Sequence, residues 1–278
     1  MKTHRLIRRL LPLVLAVLLL CTSGARAEQT EESAPFTIRG THALFLTLKG
    51  HEKSLEAAVG RPVDFSMAGG CDNGIEQAKR GGVGAICCPL HASELQGMGG
   101  GVVHQVAQEP LMVITHPRNP VTSITTQQAR DLFAGRIDNW KMLGGPDLKV
   151  VVVMRPHCAL RPGHWKTILP SLDQWQPDLF VHKFLKMITT VSKLPGAVGH
   201  LGTVLHDAKR MNRLTIDGID PLDQRAIKRG YPFYRPISLL TLGPADADEK
   251  RLIDFLRSPR AHGILAESHL IPSQFLAP

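Results

Sequence analysis

The sequence predicts an α/β protein, and three observations carry that prediction. Short apolar runs rich in β-branched residues, such as 111–115, 149–154 and 237–242, read as buried strands. Glycine-rich turns, Gly40-Thr41-His42 and Gly69 to Gly74, each lead from a strand into a helical pattern. A capping-box spacing, Thr125 to Gln128, opens a helix whose apolar positions Ala129, Leu132 and Phe133 recur at helical intervals before Gly135 stops it.

The N-terminal 27 residues stand apart from this pattern. Lys2, Arg5, Arg8 and Arg9 precede an apolar run at 10–20, and Ala25-Arg26-Ala27 has the form of a cleavage site. This predicts a secretory signal peptide at 1–27 and a periplasmic protein; the apolar run is short for a bilayer span. Beyond the leader the chain carries 28 basic and 24 acidic residues, a net +4. So mild a charge suits attraction of small anions. With no Lys/Arg block, nucleic acid is not an expected partner. About 250 residues bury a good core, as one large domain or two lobes.

The remaining strands and helices follow in order. Residues 36–39 predict a first strand, and Leu44, Leu48, Leu55 and Val59 a helix with Thr41 near its N-cap. Residues 62–67 predict a second strand. Asn73 and Glu76 have capping-box spacing for the next helix, and residues 83–88 form a short buried strand ended by Pro89. Residues 91–101 predict a loop or short helix. Residues 175–190 predict a helical region with Phe180, Phe184, Met187 and Ile188 as its packed stripe. Residues 248–256 predict a closing helix, followed by a surface tail.

The central stretch, 108–145, resembles the periplasmic phosphate-binding proteins of ABC importers. Asn119-Pro120, Thr125, Gln128, Phe133, Gly135, Ile137, Asn139-Trp140 and Gly144-Gly145 match, in order, that family's NP turn, T-x-x-Q helix start, F-x-G-x-I-x-N-W and GG. Weaker likeness runs from about residue 37 to 257. It includes Gly196 to His200 for G-A-I-G-Y, and Tyr231 to Arg235 for Y-P-x-x-R. The resemblance implies a two-lobed, type II-like binding-protein fold with two crossover strands and a ligand cleft between lobes. Lobe 1 would be 28–109 plus 235–278, and lobe 2 would be 110–234. It implies no enzymatic activity, a monomer, a small-molecule or ion ligand, and an ABC permease or membrane sensor as partner.

The same resemblance places ligand contacts at loops following strands: Thr41 and His42, then Cys71, Asp72 and Asn73, then Cys88, and finally Arg155, His157, Cys158 and Arg161. Two departures stand out. Cys71 occupies a serine position, and His157-Cys158-Ala159-Leu160 replaces the family's Gly-Ser-Gly-Thr. Thiols are weak donors with soft-metal affinity, whereas hydroxyls and free N–H groups suit an oxyanion. The expectation is therefore a thiophilic metal or metalloid ligand held by Cys71, Cys87, Cys88, His157 and Cys158, with no other cofactor. Disulfides, either Cys71–Cys158 or vicinal Cys87–Cys88, are the structural alternative in an oxidising compartment. A phosphate or other oxyanion binder, a thiol redox enzyme and a signalling homologue without a ligand are the functional ones.

Overall fold

The computed structural model describes residues 34–65, 68–156 and 164–275. The predicted leader lies outside them, as do the expected site residues His157, Cys158 and Arg161. Among the described residues no helix is long and apolar enough to cross a membrane.

The first strand forms as β1 (Phe36–Thr41). The helix predicted after it is two helices, α1 (His42–Leu48) and α2 (Glu52–Val59), interrupted where Gly50 takes φ +89°. Leu44, Leu48, Leu55 and Val59 are still fully buried, so the apolar period survives the break. The strand predicted at 62–67 is reduced to β2 (Val63–Asp64), and a further short strand, β3 (Ala68–Gly69), follows. Helix α3 (Cys71–Lys79) begins three residues before the start that the Asn73–Glu76 spacing predicts. Gly70 is its N-cap, and Asn73 sits inside the helix with its side chain lying back over Gly69 instead of capping.

Strand β4 (Val83–Ile86) ends just before Cys87-Cys88, and α4 (Ala92–Gly97) follows. β5 (Gly101–Thr115) is 15 residues long, far beyond the predicted 111–115. After β6 (Ser123–Ile124), α5 (Thr126–Phe133) starts with the predicted reciprocal Thr125–Gln128 capping box, and Gly135 beyond it has φ +68°. β7 (Val151–Met154), β8 (Leu179–Phe180), α6 (Phe184–Lys193), β9 (Ala197–Gly202), β10 (Asn212–Arg213) and β11 (Thr215–Ile216) complete the middle of the chain. The helix predicted over 175–190 therefore begins only at Phe184. Phe180 is not core: it pairs with Met154 on an edge strand and is 60% exposed. The return strand is β12 (Tyr234–Leu242), and α7 (Ala247–Leu256) closes as predicted. The predicted tail holds another helix, α8 (Pro259–Glu267), capped by Ser258 with proline in its first turn, and then β13 (Ile271–Pro272).

One sheet runs β2-β1-β4-β12-β5-β9-β7-β8. Its flanks are parallel: β1 pairs with β2 and β4, and β7 with β8 and β9. Its centre is antiparallel. β12 lies against β4 on one side and against β5, from Gly101 to Pro110, on the other. β5 then changes partner and pairs with β9 from Leu111 onward. The core divides where β5 changes partner. Val106 and Ala107 pack with residues of 36–90 and 237–270, whereas Leu111 and Val113 pack with Phe133, Trp140, Trp175 and Phe233. Met112 and Ile114, pointing to the opposite face, join a third cluster with Met187 and Leu201.

Helix α3 lies unusually close on β4. A Cβ on Gly84 would sit 2.1 Å from the carbonyl oxygen of Gly74, and one on Gly74 would sit 2.6 Å from that of Ala85. Only glycine permits this approach, and it brings the start of α3 against the end of β4. Gly84→Ala should therefore destabilise the fold by about 1–3 kcal/mol. Chemical unfolding checks this; an unchanged midpoint would mean that α3 moves aside freely.

Acid should weaken the fold through His206 and His269, whose rings lie 6.1 Å apart. Burial, with Arg213 beside them and against the opposite pull of Asp220, holds both below the ordinary histidine value. The folded state thus favours neutral rings. Their contribution is full above about pH 6.5 and is lost as pH falls from there through the folded values. Melting temperature should drop across that interval, and His206→Gln with His269→Gln should flatten the drop. An unflattened profile in the double variant would assign the acid sensitivity elsewhere.

Candidate functional site

Three sulfurs meet where α3 begins and β4 ends. The Sγ of Cys71 lies 2.9 Å from that of Cys88 and 3.5 Å from that of Cys87. All three ligand atoms fall within 4.8 Å of one another, and each residue is about 1% exposed. These gaps exceed a disulfide bond of about 2.05 Å, so the three are not bonded to one another. The backbone N–H of Cys87 donates to Cys71 Sγ at 3.2 Å. Nothing in the local spacing of these residues announces a site. The glycine contact between α3 and β4 creates it by setting residue 71 against 87 and 88.

Arg235 stands beside the thiols. Its Nη1 donates to Cys87 Sγ at 3.4 Å, and its Nε and Nη2 each reach Glu109 Oε2 at 2.6 Å. The two residues are register partners on β12 and β5. Glu109 also accepts from the N–H of Val204 at 3.3 Å. Gly202 leaves room for the carboxylate, since a Cβ there would lie 2.0 Å from Oε1. Burial pushes the Glu109 carboxyl up, against the pull of Arg235. Burial also opposes the guanidinium charge, but Cys87, Glu109 and Cys88 together hold Arg235 protonated, above its usual value. A doubly hydrogen-bonded pair of this geometry is ionised.

This ion pair forms one wall of a narrow cleft completed by Thr41, His42, Arg155 and Phe184. The interior volume is ≈ 20 Å³, about one water-sized sphere. His42 meets Phe184 edge-on at 5.4 Å across it. Thr41 is the N-cap of α1, and its hydroxyl accepts from the N–H of Ala43 at 3.4 Å. Arg155, just past β7 and largely buried, donates from Nε to the carbonyl of His182 at 3.4 Å.

Of the residues expected at the site, Thr41, His42 and Arg155 line the cleft, and Cys71, Cys87 and Cys88 cluster next to Arg235. Asp72 and Asn73 are exposed in the first turn of α3. His157, Cys158 and Arg161 lie outside the described residues. Sequence reasoning missed Glu109 and Phe184 as cleft residues, and used Arg235 only as a family landmark. The available signal was one carboxylate, Glu109, beside the apolar run of β5, where a buried charge demands a partner.

A family model described as a PBP superfamily domain matches residues 27–169. The chain belongs to this superfamily. It is 29% identical over 245 residues to the phosphate-binding protein PstS of Bacillus subtilis (strain 168), covering 85% of this chain and 79% of that protein. Among solved structures, an ABC-type phosphate transport receptor from Vibrio cholerae superposes with a TM-score of 0.64 at 25% identity, over 86% of this chain and all of that one. A substrate-binding protein from Clostridium perfringens with bound phosphate gives 0.74 at 22% identity, over 86% and 99%. The fold of the superfamily member is thus the two-lobed α/β binding-protein fold that the sequence predicts, with β5 and β12 passing between its cores.

Removing one member of the buried pair leaves the other charge stranded. Glu109→Ala or Arg235→Met should each cost about 3–5 kcal/mol, and the double variant less than the sum. Urea unfolding of the three variants checks this. A loss below about 1 kcal/mol in either single variant would reduce the pair to the value of a surface bridge.

Proposed function

We propose that the protein is the periplasmic solute-binding component of an ABC importer, with a thiophilic ligand. Lobe 1 comprises 28–109 and 235–278, and lobe 2 comprises 110–234. Thr41 and His42 from the first lobe face Arg155 and Phe184 from the second, with Glu109 and Arg235 between them. Closing about that junction traps a small ligand and presents it, as a monomer, to a permease or membrane sensor. The function needs no catalytic step. The tail belongs to this arrangement too, although Ile271 packs with the second core.

The observation that carries the ligand class is the meeting of three buried sulfurs against a cleft residue. Thiols hydrogen-bond an oxyanion poorly but bind soft and borderline metals or metalloids well. A second reading, phosphate or another oxyanion, is favoured by two guanidinium groups in the cleft and by relatives named for phosphate binding. Without the family's Gly-Ser-Gly-Thr loop and serine, at least two bonds to an oxyanion are missing. At about 1.5–3 kcal/mol each, that weakens phosphate a hundredfold or more.

Calorimetric titration of the reduced protein with phosphate, arsenate, arsenite and zinc discriminates the readings. Binding of a thiophilic ligand with weak or absent phosphate binding is expected. Sub-micromolar phosphate binding unaffected by alkylation of the thiols would establish the oxyanion reading instead, and no heat with any of them would favour a homologue that has lost its ligand.

A further inference from the structure

We infer that a second pocket, at the far end of β7 from the cleft, binds a small monocarboxylate with an apolar body. The inference does not depend on what the cleft holds.

The sequence motifs at 116–120 and 139–146 build this pocket instead of the cleft. His116, Arg118, Asn119 and Pro120 follow β5, while Pro146 and Leu148 precede β7 and Pro195 precedes β9. β7 and β9 are parallel, so the pocket sits at their amino ends, whereas Arg155 lies past the carboxyl end of β7. The walls are held in place by the protein itself. Asn139 Oδ1 accepts from the N–H of Lys141 at 3.0 Å and from that of Leu148 at 3.2 Å. The Trp140 indole donates to the carbonyl of Gly196 at 2.9 Å, joining the loop before β7 to the turn before β9. Each proline ring in the lining locks its own φ. A preformed site loses little binding energy to ordering.

The side-chain polar groups that this pocket offers are donors. Asn119 is 7% exposed, and its Oδ1 accepts from the N–H of Val121 at 3.0 Å. That bond fixes the orientation of the amide and leaves Nδ2 as the donor. Among the described residues Nδ2 finds no acceptor. A buried donor without an acceptor is penalised until a ligand supplies one. His116 Nδ1 accepts from the N–H of Arg118 at 3.1 Å. Burial, with Arg118 beside it, holds the His116 ring below the ordinary histidine value. The ring is therefore neutral, with its proton on Nε2 as a second donor. Arg118 is exposed at the rim and adds a positive charge.

These features select the ligand. Among the described residues no carboxylate lines the pocket. Asp147, next to Pro146, is held by Asn139 Nδ2 at 2.7 Å and Lys141 Nζ at 3.2 Å. One guanidinium with neutral donors matches one carboxylate, whose two oxygens only accept. The remaining lining, Pro120, Pro146, Leu148 and Pro195, has no polar side-chain atom, and proline has no N–H. The rest of the ligand is therefore apolar. An interior of ≈ 160 Å³ equals about five waters at their liquid volume. A benzene ring or a short alkyl chain bearing the carboxylate fits that space.

The test titrates the purified protein with benzoate and, in parallel, with benzamide, which has nearly the same shape and no charge. Calorimetry should show one benzoate site with a Kd of roughly 0.1–1 mM, and benzamide binding at least about tenfold weaker. Nuclear magnetic resonance should show the Asn119 side-chain amide and the Leu148 methyls shifting together to saturation. Asn119→Asp keeps the oxygen that bonds Val121 but replaces the donor with a like charge, and should abolish binding. Arg118→Gln should weaken binding roughly tenfold. Arg118 is exposed, so this second variant decides if the first does not fold. Four results would each overturn the inference: no saturation by about 10 mM benzoate, equal affinity for benzamide, shifts confined to Thr41 and Phe184 of the cleft, or unweakened binding by Arg118→Gln. None of them touches the thiophilic reading, which the arsenite and zinc titrations address separately.

Discussion

The ion pair between Glu109 and Arg235 lies at the point on which the rest of the molecule turns. The two are register partners on the long antiparallel strands β5 and β12, two residues before β9 replaces β12 as the partner of β5 at Leu111. A charged pair buried there fixes the strand register, because any slip would strand one charge in an apolar interior. The same carboxylate takes the N–H of Val204, tying in the loop after β9. Core division, cleft wall and thiol contact therefore share two side chains.

The thiol cluster depends on a different economy of space. Gly74 and Gly84 let α3 approach β4 more closely than any side chain would allow, and that approach sets Cys71 against Cys87 and Cys88. The helix start and strand end that bring the sulfurs together are the same kind of place, the carboxyl end of a strand, where open α/β sheets bind ligands. What differs is the chemistry of the side chains. Here the side chains at that place are weak hydrogen-bond donors, beside a guanidinium, Arg235, that both Glu109 and Cys87 contact.

Much of the fold was legible in residue spacing. The Thr125–Gln128 box, the Thr41 cap and the apolar positions of α1 and α2 are local, and local chemistry decides them. The helix at Cys71 was misplaced because Asn73 and Glu76 mimic a cap, while the true cap, Gly70, carries no side-chain signal. Phe180 was misread because an apolar residue near a helix looks like part of its stripe; only pairing with Met154 reveals an edge strand. The first half of β5 hid behind polar residues such as His104 and Gln105, which its half-exposed crossing tolerates. Glu109 beside an apolar run was a legible half of the ion pair, but its partner was not, since the two stand 126 residues apart.

Candidate thiols at 71, 87 and 88 were visible as residues at strand ends, but their meeting was a consequence of folding. Whether they act together as a ligand is the centre of this account. X-ray absorption at the arsenic edge, on the reduced protein loaded with one equivalent of arsenite, reports it most directly. The account predicts three sulfur neighbours at roughly 2.3 Å. Oxygen neighbours alone would contradict it, and would return the cleft arginines to the role of anion receptors.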